Sequence, residues 1–344
     1  MILVINAGST SLKYKLLYFG SLEEKLGAKF EIDGRKIKDH AQALRLALRE
    51  IGEITKIKAV GHRVVHGAND FFETTLIDKR TLIKLEAISY LAPLHNPANL
   101  SGIKACQDYL PQIKQWAVFD TAFFHNLPEK TRLYPLDLKL TKKYSLYRFG
   151  FHGLSHQYAA IEASRLLAKP LKKINLIICH LGGGCSVSAI KQGQPIDTSM
   201  GFTPMEGLMM LTRTGDIDPG IIFHLLRQGL TGNEVEAIFN RQAGIKGIGQ
   251  AKSYLELLKN LNRDKVAKLA FEMFIYRLKK YIGAYLAILN KIDALVFTGQ
   301  IGSGNPKTRQ AIARDFKLIK GIKRLTIKTN EEYIIAKEVK KNFK

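Results

Sequence analysis

Residues 197–219, DTSMGFTPMEGLMMLTRTGDIDP, set one arginine, Arg213, between two threonines in a segment that no regular element can hold. Gly201, Pro204, Gly207, Gly215 and Pro219 interrupt any helix or strand. Yet Met205, Leu208, Met209, Met210 and Leu211 are too apolar for a free surface loop. The segment is therefore expected to be buried, irregular and built to present Arg213. A guanidinium fork suits phosphate or carboxylate, so the chemistry implied is anion binding. A structural arginine in a glycine-rich core loop is the plainer alternative. A second group of candidates is His152, close to Gly150 and Gly153 in RFGFHGLSH, where a loop can bring an imidazole to a ligand. Asp120 is a third, at the end of the apolar run KQWAVFD.

The elements that must position these residues fall into two similar halves. Residues 2–8 (ILVINAG) and 176–182 (LIICHLG) are apolar strands running into glycine turns, followed by STSLKYKLL and GGCSVSAI. With Asn6 set on His180, Gly8 falls on Gly182, an offset of 174 residues. Each copy reads as a β-hairpin whose glycine turn lets backbone N–H groups approach a phosphate. Two such turns predict a duplicated pair of domains facing one phosphoryl chain across a cleft. Elsewhere, 39–51 reads as a helix with Leu44 and Leu48 on one face, and 60–67 as a buried strand. Residues 114–120 read as a strand delivering Asp120. A long helix is expected over 266–289, where Phe271, Ile275, Leu278, Ile282, Tyr285 and Leu289 recur at helical spacing. ALVFTG (294–299) reads as a strand entering a loop, QIGSGNP. Strands alternating with helices imply α/β architecture with mostly parallel sheets, and ligands beyond the strand C-termini. The domain boundary is expected near residue 125.

Composition narrows the class. A chain of 344 residues with 46% hydrophobic and 24% charged residues is that of a soluble globular protein of two domains. Cys106, Cys179 and Cys185 form an odd set without a CxxC, which predicts a reduced, cytoplasmic protein without disulfides or zinc. MILVINAGST has no signal-peptide features, and no apolar run reaches the roughly 18 residues that span a bilayer. The net charge of +23 fits nucleic-acid binding, attraction of anionic substrates, or a surface composition without a specific role. The lysines are dispersed and no nucleic-acid motif is present, so no specific nucleic acid and no membrane is expected as a partner.

Nearly the whole chain resembles the acetate kinases. The matching stretches are NAGSTSLKY, GHRVVHG, LAPLHNP, VFDTAF, RFGFHGLSH, the 197–219 segment, YRLKKYIGAYLA with VFTG, and TNEEYIIA. The resemblance implies the sugar kinase, actin and Hsp70 plan, two duplicated actin-like (ribonuclease H-like) α/β domains with a cleft between them. It places one domain at 1–124 with 333–344, the last helix folding back, and at 125–332 a second, carrying the nucleotide and phosphate-donor site. It implies reversible phosphoryl transfer between ATP and acetate, with Mg²⁺ or Mn²⁺, by a homodimer. Phosphoryl transfer to a carboxylate brings two anions together and needs positive charge on both. The resemblance assigns Arg63, Arg213, His152 and Asp120 to that centre, and places His95 and His180 near it. It assigns Asn6 and Glu331 to the metal, an ion that needs few protein carboxylates because it keeps several waters. Ser9, Ser11 and Lys13 share the first hairpin, where Lys13 is expected on phosphate. His180, Gly182, Gly183, Gly184, Gly299, Gln300 and Gly302 are expected around the nucleotide. Val65, Leu94, Phe151 and Pro204 form the family's small apolar acceptor pocket, where one methyl group contributes only about 1–3 kcal/mol of discrimination.

The chain departs from the family on the nucleotide side. HLGGG stands for HLGNG, so Gly183 replaces a side-chain donor. GQIGSG stands for GGIGEN, with Gln300 expected to narrow or fill the adenosine pocket and Ser303 and Gly304 replacing an acid and an amide. Leu154 replaces a threonine and Phe124 a histidine. These departures keep open a kinase of pyrophosphate or phosphate, one acting on another short acid such as propionate, and a non-catalytic binding protein. The retained Asn6, Arg63, Asp120, His152, Arg213 and Glu331 speak against the last.

Overall fold

The computed structural model describes residues 1–314 and 316–343 and divides into two compact units, Met1–His125 with Asn330–Lys344 and Asn126–Thr329. The first unit holds a six-stranded sheet of β1 (Ile2–Gly8), β2 (Ser11–Leu17), β3 (Glu24–Glu31), β4 (Ala59–Val64), β5 (Thr75–Leu76) and β6 (Gln115–Phe119), in the order β3-β2-β1-β4-β6-β5. The second holds β7 (Leu176–Leu181), β8 (Cys185–Lys191), β9 (Gln194–Thr198), β10 (Ala294–Thr298) and β11 (Lys323–Thr326), in the order β11-β10-β7-β8-β9.

The two orders are the same plan. In each, an antiparallel three-strand meander is followed by two parallel strands on the far side of its first strand: β3-β2-β1 with β4 and β6, β9-β8-β7 with β10 and β11. The duplication read from ILVINAG and LIICHLG is thus a duplication of topology, with β5 an addition to the first unit alone. Asn6 and His180 hold matching places, paired across their hairpins with Lys13 and Ser186.

Sequence explains most of these elements. β1, β7 and β10 are continuous apolar runs because helices cover both faces of a parallel sheet; β7 and β10 are buried throughout. β2 alternates, with Leu12, Tyr14 and Leu16 buried and Lys13 and Lys15 facing outward. The helix His40–Ile51 starts at Asp39, whose carboxylate accepts from the Gln42 amide, and buries Leu44 and Leu48 against the first sheet. The long helix Lys265–Leu289 is capped by Asp264 and buries Ile275, Leu278, Ile282, Tyr285 and Leu289; Phe271 is only half-buried. The last helix, Glu331–Asn342, packs on β1, β4 and β6, where a Cβ at Gly61 would meet Ile335 and Val339 at 2.7 and 2.8 Å.

The segment 60–67, expected as a buried strand ending in a turn, leaves the sheet after Val64, because the next amides turn to side chains: Val65 N–H donates to Asn99 Oδ1 and His66 N–H to Asn96 Oδ1. One local expectation needs correction. The expected loop after β10 is instead a short helix, Gly299–Gly304. Gly299 turns the chain from strand into helix at φ 76°, a conformation L side chains rarely adopt, and a Cβ there would lie 2.5 Å from the Leu181 carbonyl. The helix is stabilised by the Ser303 hydroxyl on the Gly299 carbonyl and by Arg309, which donates to the carbonyls of Gly302 and Ser303.

Candidate active site

In the first unit the sheet brings Asn6, Arg63, Asp120 and Glu331 together. β4 and β6 are parallel neighbours, so Arg63 and Asp120 emerge side by side at their C-terminal ends. Arg63 Nη2 donates to Asp120 Oδ2 at 2.5 Å, Nε stands 3.1 Å from both carboxylate oxygens, and Nη1 donates to Asn6 Oδ1 at 3.3 Å. Glu331, in the first turn of the last helix, stands 3.7 Å from Nε. Burial alone would lower the Arg63 pKa, but Asp120 and Glu331 outweigh it and the net shift is upward. Burial pushes the Asp120 carboxyl up while Arg63 pulls it back. The short bidentate contact with a guanidinium keeps the pair ionised. Lys13 lies on this unit too, ion-paired with buried Glu332 at 2.7 Å.

Two asparagines, unmarked in the sequence, fix this edge. Asn99 accepts from the Val65 amide and donates to the Ala7 carbonyl at 2.6 Å, tying the end of β1 to the chain leaving β4. Asn96 pairs with both backbone groups of His66. Their signal was LHNPANL, which opens the helix Asn96–Tyr109 with Pro97 in its first turn. His95 is the residue before this helix, and Val65 is buried while Leu94 is half-buried.

In the second unit the glycine turn between β7 and β8 gathers the other candidates. His152 occupies the left-handed region, φ 58°, at the start of the helix Gly153–Leu167. Such strain in a non-glycine residue is a recurring mark of functional sites. A Cβ on Gly184 would lie 3.1 Å from His152 Nε2 and 3.6 Å from Arg213 Nη1, so both groups meet at the turn. A Cβ on Gly182 would lie 3.7 Å from His180 Nε2. The imidazoles of His152 and His180 stack at 4.2 Å. The expectation that the turn's backbone amides serve phosphate is corrected in one place. The Gly182 N–H is spent inside the turn, on the Gly184 carbonyl at 3.0 Å.

The 197–219 segment is buried and irregular, as its composition requires, with Met200, Leu208, Met209 and Met210 in the interior. Its backbone groups are satisfied from outside regular structure. Leu211 N–H donates to the Gly183 carbonyl, and Gly207 and Asp216 bond each other. Arg148 donates to the carbonyls of Thr198 and Met200 and pairs with Glu206 at 2.6 Å. Arg213 Nη1 donates to the Pro204 carbonyl at 3.3 Å, and burial lowers its pKa. Phe151 is buried and Pro204 half-buried.

A cavity of about 400 Å³ lies beside this turn, lined among others by Gly182, Gly183, Leu211, Tyr254, Gln300 and Ile301. Gln300 is exposed and lines the rim of this cavity, which it leaves open. Gly299 and Gly302 are buried in the short helix whose Gln300, Ile301 and Gly304 line the cavity. Gly183 is exposed, and a Cβ there would meet nothing within 4 Å. A larger cavity, about 780 Å³, lies against the helix Lys265–Leu289 and contains none of the candidates. The smaller one is the functional candidate, because Gly182, Gly183 and Gln300 line it and none of the candidates lines the larger.

Two sheets of one duplicated plan, each with charged or imidazole groups at its strand ends, define the class of fold shared by kinases that work on small acids and sugars. A putative N-acetylmannosamine kinase of Listeria monocytogenes has this fold at a TM-score of 0.52 and 12% identity, covering 98% of this chain and 97% of that one. The family follows from closer likenesses. The model of the acetokinase family matches residues 1–338. An acetate kinase of Thermoanaerobacter pseudethanolicus is 40% identical, over 100% of this chain and 99% of that protein. The structure of Porphyromonas gingivalis acetate kinase superposes with a TM-score of 0.89 at 34% identity, covering 100% and 99% of the two chains. A propionate kinase from Francisella tularensis superposes equally well, at 36% identity and 99% coverage of both. This chain belongs to the acetokinase family. Alignment with the Thermoanaerobacter protein runs over 396 positions against the 344 residues here, so this member is a shortened one. No helix among the described residues is long and apolar enough to cross a membrane.

Proposed function

We propose that this chain is an acetate kinase, transferring the terminal phosphoryl group of ATP to acetate, reversibly, to give acetyl phosphate and ADP. The observation that carries the reading is the meeting of Arg213 and His152 at the Gly182–Gly184 turn, beside an open cavity of about 400 Å³. A carboxylate oxygen of acetate forms the new bond to phosphorus, and the bond from phosphorus to the bridging oxygen of ADP breaks. Little covalent work falls to the protein; positioning and charge neutralisation dominate. Arg213 and His152 serve the transferring phosphoryl group. Arg63 serves the acceptor carboxylate, held in place by Asp120 and Asn6. Val65, Leu94, Phe151 and Pro204 favour a short acid. The open cavity supports a nucleotide donor over pyrophosphate, with Gln300 at its rim and Gly299 and Gly302 buried in the helix that borders it.

Mg²⁺ is the expected metal. Among the described residues no group of three or more His, Cys, Asp or Glu is arranged to hold an ion. The cluster nevertheless fits a largely hydrated one: two carboxylates, Asp120 and Glu331, face a single guanidinium, and Glu331 lies beyond hydrogen-bond length from it. Glu331 and Asn6 would hold the ion, whose charge would offset that of the phosphates. We further propose a homodimer in the cytoplasm. The helix Pro219–Arg227 supports association, since it has no buried residue and exposes Ile221, Phe223 and Leu226.

The test is acetyl phosphate formation from acetate and Mg-ATP, trapped with hydroxylamine, with propionate and pyrophosphate in parallel. Hydroxamate from acetate with ATP is expected. Product only with pyrophosphate, or only from propionate, would replace the reading.

A further inference from the structure

His152 and His180 are each held from behind by a chain of hydroxyl groups. On one side Ser188 Oγ lies 2.8 Å from His156 Nδ1, His156 Nε2 lies 2.7 Å from Ser186 Oγ, and Ser186 Oγ lies 3.0 Å from His152 Nδ1. On the other, Thr329 donates its hydroxyl to Ser155 Oγ at 3.1 Å, and Ser155 Oγ lies 2.7 Å from His180 Nδ1. Local structure brings these groups together. Ser186 and Ser188 are two apart on β8 and face one side of the sheet, while His152 and His156 are four apart at the start of one helix.

Proton counting orders both chains. A hydroxyl has one proton and a neutral imidazole one N–H. His156 and Ser188 are fully buried. Burial and neighbouring His180 hold the His156 pKa well below the usual range, so this ring is neutral. Ser188 Oγ has His156 as its only hydrogen-bond partner among the described residues, so its proton goes to Nδ1; the reverse order would strand a buried hydroxyl proton without an acceptor. His156 then carries its proton on Nε2 and donates to Ser186. Ser186 in turn donates to His152 Nδ1, so the His152 proton sits on Nε2. In the second chain Ser155 accepts from Thr329 and must donate to His180 Nδ1, which places that proton on Nε2 as well. The two rings stack at 4.2 Å with Arg213 beside the same turn.

We infer that Ser186, His156 and Ser155 are positioning residues that hold His152 and His180 as neutral Nε2–H tautomers aimed at the Gly182–Gly184 turn. Two fixed imidazole N–H donors then stand at the turn where the family's asparagine donor is replaced by Gly183. This rests on the reading of the turn as a phosphoryl site, but the tautomers themselves can be measured without substrate.

The experiment uses the full chain labelled with ¹⁵N-histidine. Two-bond ¹H–¹⁵N correlation reports which ring nitrogen carries the proton, and His152→Asn and His180→Asn variants assign the two rings. Nε2–H is expected for both. Ser186→Ala should release His152 to a mixture of tautomers and lower kcat by about 10-fold to 100-fold, with a smaller change in the KM for ATP. Ser186→Thr, which keeps the hydroxyl, should restore both. A proton on His152 Nδ1 in the unmodified protein would overturn the inference, and so would Ser186→Ala leaving tautomer and turnover unchanged. Failure of the unmodified chain to form acetyl phosphate would instead count against the proposed reaction and leave the tautomer result standing.

Discussion

In the first unit a guanidinium is gripped by carboxylates; in the second a guanidinium meets an imidazole at a glycine turn. Arg63 has Asp120 on two of its nitrogens, Asn6 on a third and Glu331 nearby. Arg213 donates to a backbone carbonyl beside the glycine turn that His152 also reaches, and burial lowers its pKa where that of Arg63 is raised. The same sheet plan therefore carries two electrostatic designs. The first holds its arginine with carboxylates. The second brings a desolvated cation to a turn, an environment in which a fixed charge is worth more than in water.

Removing each arginine should separate the two designs most sharply. Arg213→Ala and Arg63→Ala should both lower kcat by about 10³-fold or more. They should differ in stability. Arg63→Ala leaves Asp120 buried without its partner and should cost about 3–5 kcal/mol, whereas Arg213→Ala removes a cation that burial disfavours and should cost less. Adding Asp120→Ala should recover part of the loss in the first case. Thermal unfolding of the three variants decides the matter; equal losses from both arginines would dissolve the contrast.

Acid should strike buried neutral imidazoles in both units. His62, which pairs with Gln115 at 2.8 Å on the first sheet, has its pKa lowered to about 4 by burial, and that of His156 is also lowered. Between pH 6.5 and 4 the unfolded chain takes up protons on these rings and the folded chain does not. Stability should therefore be full above pH 6.5 and fall by up to about 3 kcal/mol for His62 as pH drops toward 4. Denaturant melts at pH 7 and pH 5 test this, and His62→Gln should flatten the slope. An unchanged slope would mean that His62 titrates normally.

Smaller effects belong to the nucleotide side. Gly299→Ala should raise the KM for ATP by about 10-fold, since a Cβ would collide with the Leu181 carbonyl and displace the cavity wall. Gly183→Asn fits without collision and should lower that KM a few-fold by restoring a donor. Gln300→Gly should change it least, because the glutamine is exposed at the rim of a cavity that is already open. A large gain from Gln300→Gly would show that the side chain closes over the site in solution.

The sequence by itself determined the apolar strands, the long helix, the duplication and the buried irregular segment around Arg213. Each depends on local periodicity or on a pattern repeated along the chain. Matches to family motifs also marked Arg63, Asp120, His152 and Glu331. One local feature differs. The chain after Gly299 reads as a loop because glycines dominate it, whereas its helix is closed by Arg309 from the next helix.

Tertiary structure alone decided which groups hold the candidates. The Arg63–Asp120 contact joins residues 57 apart, the Asn99–Ala7 contact residues 92 apart, and the serine–histidine contacts residues 25 to 34 apart. Serine and asparagine are common on any surface, so their types carry little signal. Only the docking of a helix start against a strand converts Ser155, Ser186 and His156 into fixed donors and acceptors, because a hydrogen bond depends on tenths of an ångström that no one-dimensional pattern specifies.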